Sequence, residues 1–340
     1  MSFYWPEIPK SAQRYDISKS YEWNYANAPP LPIDYVVAPV ERPWKLCGVE
    51  VNSPLAIAAG PLLNGRWLLH YAALGFDVLT YKTVRSRARE CYDTPNLQPI
   101  VPTKLAAADT AVNATNDMRG SWAVSFGMPS TSPDLWRFDI EETRRLLPRR
   151  KKLSVSVVAS PEPDWSIEQV AEDYAKCARW AAESGADFVE LNFSCPNVSS
   201  CDGQLYQQPL LAKQVVEHVK GQVHETPILV KIGLVESQED AKALVDQLTG
   251  VAEALVMINC IAAVVGAKSK PMFSSEPRGI AGEAIQSAVL DQLAMFHAAI
   301  EKANSNLEIV GVGGISSVEE ANTCLDLGAT GVQVATSIMT

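Results

Sequence analysis

From Leu55 onward the chain repeats one rhythm: a short apolar run, a polar or glycine-bearing loop, a stretch with helical spacing, then another apolar run. The runs predict eight strands, at Leu55–Ala59, Asp77–Tyr81, Lys151–Ala159, Phe188–Leu191, Pro227–Ile232, Glu253–Ile258, Leu307–Val312 and Gly331–Ala335. Most are apolar throughout, as parallel strands covered on both faces should be. Helical spacing between them predicts helices near Asn64–Leu74, Ile167–Ser184, Gln238–Leu248, Glu283–Lys302 and Ser317–Leu327. Ser166 is the expected cap of the second of these, with Glu168 and Glu172 in its first turns. Eight strands, seven followed by a helix or a large insertion, fit an α/β TIM (β/α)8 barrel better than an open doubly wound sheet. The chain ends at Thr340, shortly after the eighth strand, so a final closing helix is expected to be missing.

The flanking stretches break the rhythm. Residues 1–45 are rich in Trp, Tyr and Pro with no sustained period, and read as an extended N-terminal arm that packs its aromatics on the barrel, residues 46–340. An interfacial membrane helix would need basic residues on one face, and the prolines Pro29, Pro30 and Pro32 argue against it. Leu46–Val51, with Gly48 in its middle, suits a short hairpin. Two insertions, 83–150 and 260–282, fall after strands two and six, on the rim where a barrel builds its pocket.

Composition narrows the function. A net charge of -10 argues against nucleic acid or an anionic membrane as the main partner. No run reaches the roughly 18 apolar residues of a membrane-spanning helix, and the start lacks a signal-peptide pattern. Seven cysteines are scattered with no Cys-x-x-Cys pair, so iron–sulfur and zinc-ribbon sites find no support and reduced thiols in a cytoplasmic protein are expected. The histidines, His70, His218, His224 and His297, sit in or beside helical segments and suggest neither a triad nor a metal site.

Chemistry collects at the strand ends. Strand four runs into Asn192-Phe193-Ser194-Cys195-Pro196-Asn197, a thiol between carboxamides. These residues also suit a plain strand cap, with Asn and Ser satisfying local backbone groups. Gly311-Val312-Gly313-Gly314 opens a helix after strand seven, and Ala335-Thr336-Ser337 leaves strand eight. Together they suggest a phosphate cradle, although glycine also serves turns. Lys82 and Lys231 end strands two and five, and their ammonium groups need a carboxylate or an electron-rich ligand as partner. Asn259-Cys260 repeats the amide–thiol pattern after strand six. Asn192, Asn197 and Asn259 suit a flat ligand with alternating C=O and N–H groups, and Cys195 is the candidate general base.

These residues resemble motifs of the dihydroorotate dehydrogenases, in the same chain order over about residues 45–340. The hexad, Lys82-Thr83, Val230-Lys231, Ile258-Asn259, Arg278-Gly279-Ile280-Ala281-Gly282 and the glycine run carry the likeness, which is nearest the class 1 branch and similar to the pyrimidine-reducing domain of dihydropyrimidine dehydrogenase. The resemblance implies an FMN-binding barrel in which Cys195 takes a proton from C5 of a dihydropyrimidine while hydride passes from C6 to flavin N5. It implies FMN contacts at Ala58, Gly60, Lys82, Thr83, Lys231, Gly282, Gly313, Gly314, Ala335 and Thr336, and a substrate site at Asn192, Asn197, Asn259 and Cys260. Lys231 would stabilise the charge on reduced flavin. Three positions depart from the family pattern: Val124 replaces an Asn, Cys260-Ile261-Ala262 replaces Ser or Thr followed by Gly, and Arg278 replaces the first Gly of Gly-Gly-x-x-Gly. The expectation is an oxidoreductase of pyrimidine metabolism, with a flavin-binding subunit or module lacking this turnover as the alternative. A soluble electron acceptor or a partner reductase would reoxidise it, and the likeness leaves room for a homodimer.

Overall fold

Eight parallel strands close on themselves in chain order: β1 (Leu55–Ile57), β2 (Val78–Val84), β3 (Lys152–Val157), β4 (Phe188–Asn192), β5 (Ile228–Lys231), β6 (Ala254–Met257), β7 (Glu308–Val312) and β8 (Gly331–Val334). The structure, a computed structural model, describes residues 3–37, 39–40, 42–106, 110–194, 201–267 and 270–339. Each strand pairs in parallel with its successor, and β8 returns to β1 through Val332 opposite Leu55. The predicted barrel is therefore the observed one. Its interior is filled by side chains such as Val78, Phe188, Leu229, Val256 and Val310, and a second apolar layer binds strands to helices.

Every strand is followed by a helix: α1 (Gly65–Ala73), α2 (Pro133–Leu146), α3 (Ile167–Glu183), α4 (Pro209–Val223), α5 (Gln238–Leu248), α6 (Gln286–Ala303), α7 (Val318–Asp326) and α8 (Thr336–Met339). The starts are chemically marked. Ser166 and Gln169 form a capping box on α3, Ser317 and Glu320 another on α7, and Asn64 Oδ1 accepts from the Trp67 amide on α1. Three expectations need correction. The 83–150 stretch is not all insertion, because α2 occupies its end as the barrel helix between β2 and β3. A helix was not expected between β4 and β5, where α4 lies. Four residues after β8 do form a short helix, α8, where none was expected.

The two rim insertions fold together. Segments 97–99 and 121–124 from the loop after β2 join 261–267, 270–271 and 278–282 from the loop after β6 in one sheet. Its central pairing sets Val124 opposite Gly279 and Ser121 opposite Gly282. This canopy stands over the C-terminal ends of the strands. The arm is only partly extended, since Tyr21–Ala26 forms a short helix capped by Ser20. It is tied down by polar bonds: Trp67 Nε1 to Asn24 O at 3.0 Å, Arg66 Nε to Pro29 O at 2.7 Å, and the Tyr21 amide to Asn96 Oδ1 at 3.0 Å.

Candidate active site

Strand ends deliver the polar groups because a parallel barrel strand alternates inward and outward, so 190 and 192 on β4 share the inner side. One cavity of about 130 Å³ lies at this mouth. Lys82 and Thr83 reach it from β2, Asn192 from β4, Lys231 from β5, and Asn259 and Cys260 from just past β6. Ala58 and Gly60 line it after β1, and Ala335 after β8. Lys82 does not end its strand as expected. It lies inside β2, which runs on to Val84 because every residue from 78 to 84 is buried.

Asn192 is the best-anchored of these groups. The Tyr174 hydroxyl of α3 donates to its carbonyl at 2.9 Å, and the Tyr174 ring meets Phe193 edge-on. Asn192 Oδ1 accepts from the Ser194 amide at 3.2 Å and from Asn259 Nδ2 at 3.4 Å, while Asn259 Nδ2 also donates to Ser194 O. Two of the three predicted carboxamides thus meet at the root of the hexad. Cys195 and Asn197 lie outside the described residues. Of the other thiols, Cys91 and Cys324 are poor bases, since burial pushes each up to about 12.

Two residues of the site were missed. Glu190 of β4 is wholly buried and lines the cavity, with Lys231 Nζ 3.8 Å from its Oε2. Gln333 of β8 bridges the pair, accepting from Lys231 Nζ at 3.1 Å and donating to Glu190 Oε2 at 3.2 Å. The available signal was parity, since Glu190 stands two residues before the inward Asn192.

A second cavity, of about 260 Å³, shares Asn259, Ala281, Val312 and Ala335 with the first. Gly282, Gly313, Gly314 and Thr336 line it. Just ahead of α7, Glu320 Oε2 accepts from the Ser316 and Ser317 amides at 2.7 and 3.1 Å. Burial pushes the Glu320 carboxyl up, but these bonds and one from Gln286 outweigh it and leave it below the ordinary carboxylate value. These two amides being taken, a bound anion would draw on the glycine loop and the Ala335–Ser337 turn. No Lys or Arg lines this cavity among the described residues, so backbone and hydroxyl dipoles would supply the donors.

Gly282 has a steric reason of its own. Its φ is +97°, and a Cβ there would stand 2.1 Å from the Gly120 carbonyl oxygen. Gly282→Ala should cost about 1–3 kcal/mol of stability through this strain, and chemical denaturation checks it. A variant as stable as the parent would contradict the close approach.

The three departures have different consequences. Val124 joins Leu97, Trp122, Phe126 and Met128 in an apolar wall of the first cavity. Cys260 borders both this cavity and a neighbouring one lined by Ser194 and Tyr206. Arg278 turns away, donating through Nε to Ser125 Oγ at 2.8 Å and lying over Tyr92 and Phe273. The arm backs the apolar wall: Tyr15 and Tyr21 meet the Phe126 ring edge-on at 5.9 and 5.5 Å. The arrangement suits a long ligand whose flat polar ring meets the lysines and carboxamides and whose anionic tail reaches the glycine loop. Among the described residues no cluster of His, Cys, Asp and Glu could hold a metal ion.

Residues 125–340 match the family described as dihydroorotate dehydrogenase. A dihydroorotate dehydrogenase of Dictyostelium discoideum is 28% identical over 98% of this chain and 95% of its own length. The catalytic subunit of dihydroorotate dehydrogenase B (NAD(+)) of Methanocaldococcus jannaschii is 26% identical over 86% of both chains. In fold, the crystal structure of DHODH from Eimeria tenella in complex with ferulenol superposes with a TM-score of 0.72 at 17% identity, covering 94% of this chain and 84% of that one.

Proposed function

This chain belongs to the dihydroorotate dehydrogenase family, and from that membership we propose that it oxidises dihydroorotate at the C5–C6 bond in pyrimidine metabolism. The observation that carries the reading is the meeting of Lys82, Asn192, Lys231 and Asn259 on one cavity that abuts a glycine loop. The family implies a flavin, and we take it to be FMN, with its phosphate on the glycine loop at Gly313 and Gly314 beside Thr336. When bound, FMN supplies the two-electron acceptor for the hydride leaving C6.

The chain's own residues divide the remaining work. Asn192, Asn259 and Asn197 hold the ring of the substrate through its C=O and N–H groups. Cys195, in the thiolate form, takes the C5 proton, and the C–H electron pair becomes the new ring double bond as C6 gives up hydride. Lys231 places positive charge where the reduced flavin carries negative charge, and Lys82 and Thr83 support the ring from β2. Ala58, Gly60 and Ala335 leave room for a flat ligand close to the backbone. The arm, residues 1–45, steadies the Phe126 wall of an FMN-binding barrel spanning 46–340.

The archaeal relative is named for NAD(+); for this chain we propose a soluble acceptor or a partner reductase. Among the described residues no helix is long and apolar enough to cross a membrane. The scattered cysteines, read as reduced thiols, are what supports a cytoplasmic protein in this proposal. A second reading, a flavin-binding subunit without this turnover, is favoured by Val124, since a site that trades an amide for an alkyl group loses hydrogen-bond discrimination. The absorbance spectrum of the purified protein, with release of its chromophore by heat, tests the cofactor: a flavin band from FMN is expected. Protein that neither carries nor takes up flavin would sink both readings.

A further inference from the structure

An ion pair buried inside an apolar barrel is costly, and this one is fully sequestered. Glu190 is 0% exposed and Lys231 4%. Nearby interior positions are filled by Ala56, Ala58, Val256 and Val312. Removing two charges from water costs several kcal/mol each, and packing alone would be served as well by apolar residues of similar volume. The pair is also held in a defined geometry. Gln333 reaches from β8, which is not adjacent to β4 or β5, and uses its amide nitrogen on Glu190 and its amide oxygen on Lys231. One carboxylate oxygen is left over: Glu190 Oε1 is buried with no hydrogen-bond partner, in a residue that lines the cavity. What sets this acceptor apart is its place, on a fully buried carboxylate that lines the cavity beside Lys231.

We propose that Glu190 sets the electron affinity of the bound flavin by offsetting the charge of Lys231, with Gln333 fixing the distance between them. The inference rests on the flavin reading above. Two lysines line the cavity, Lys82 and Lys231, and Glu190 is the one acidic residue among its described lining. An ammonium beside a flavin favours the reduced, negatively charged form, and in a low-dielectric interior that preference is strong. Left alone, Lys231 would trap electrons on the cofactor. Paired with Glu190, it retains enough field to accept charge while the reduced cofactor still yields electrons to an acceptor. Glu190 is thus a positioning and charge-balancing residue that acts through Lys231.

The test is the midpoint potential of the flavin-loaded protein, measured anaerobically against reference dyes without dihydroorotate. Glu190→Gln keeps the shape and an acceptor for the Gln333 amide but removes the charge. It should favour reduced over oxidised flavin at least tenfold relative to the parent, a rise of about 30 mV for a two-electron couple. Lys231→Gln should shift the ratio the opposite way, and in the double variant the two shifts should largely cancel. Glu190→Asp, which retains the charge at greater distance, should show a smaller rise and serves if Glu190→Gln fails to fold or load. A loaded Glu190 variant with an unchanged potential overturns the proposal, because a merely structural glutamate predicts that result. Parent protein that takes up no flavin sinks the cofactor reading and this inference together, so the two failures are distinguishable.

Discussion

Cys195→Ala should lower dihydroorotate turnover by roughly two to four orders of magnitude, the usual worth of a positioned general base. The flavin spectrum should stay unchanged. The expectation rests on where the hexad begins. Asn192 and Asn259 both line the cavity and hold Ser194, the residue before the thiol in sequence, through its amide and carbonyl. Cys195→Ser refines the point. An ordinary thiol loses its proton near about pH 8.5, whereas a hydroxyl does so far higher. A base must be deprotonated to act, so parent activity should rise with pH through the thiol's ionisation. The serine variant should be most impaired near neutral pH and recover as the solution becomes alkaline. Steady-state rates across pH check both variants. A Cys195→Ser enzyme with the parent's pH profile would remove the thiol from the mechanism.

Asp77→Ala should cost about 3–5 kcal/mol of folding stability, the range for leaving one buried charge without its partner. Asp77 and Lys151 stand at the N-terminal ends of β2 and β3, at the end of the barrel away from the cavity. Lys151 Nζ donates to Asp77 Oδ1 at 2.9 Å and to Phe76 O at 2.8 Å, and the lysine is wholly buried. Burial already holds the Lys151 ammonium below the usual lysine range, with Asp77 acting against that shift. Without Asp77 the native state would release this proton at still lower pH. The unfolded chain keeps it until about pH 10.4, so the unfolded state binds more protons across the interval between the two values. Stability of the variant should therefore rise with pH over that interval, and the deficit should shrink toward alkaline conditions. Denaturant titrations at several pH values measure it. Folded variant protein should retain turnover close to the parent, since neither residue lines the cavity.

The barrel was legible because its strands are continuous apolar runs and several of its helices open on Ser or Asn caps. Two of the three missed helices, α2 and α4, show where that signal thins. In α2, Leu135 and Phe138 face solvent at 61% and 64% exposure and blur the apolar stripe carried by Trp136 and Ile140. In α4, Leu210 does the same at 71%. Both helices carry Pro in their first turn, Pro133 and Pro209, which was a usable start signal. The canopy was visible only as two insertions, since pairing Val124 with Gly279 joins segments far apart in sequence with no local mark.

The site was legible where a polar residue interrupts or ends an apolar run, as at Asn192, Lys231 and Asn259. Glu190 and Gln333 were not, because each sits inside a strand as one polar residue among apolar neighbours and reads as ordinary alternation. Lys82 was assigned to a strand end from its charge, yet β2 carries it inward because the cavity, rather than bulk solvent, receives its ammonium. The glycines illustrate a different ambiguity. Gly282 serves a close backbone approach whether or not an anion binds beside it, so its presence alone could not separate turn from cradle.

Anaerobic titration of the flavin-loaded protein with dihydroorotate tests the central claim most directly. Oxidation of the substrate should bleach the flavin band stoichiometrically, and Cys195→Ala should bleach orders of magnitude more slowly with the same spectrum at the start. A loaded protein whose flavin band is untouched by dihydroorotate, yet bleaches with a chemical reductant, would contradict the account and leave a flavin-binding barrel without this reaction.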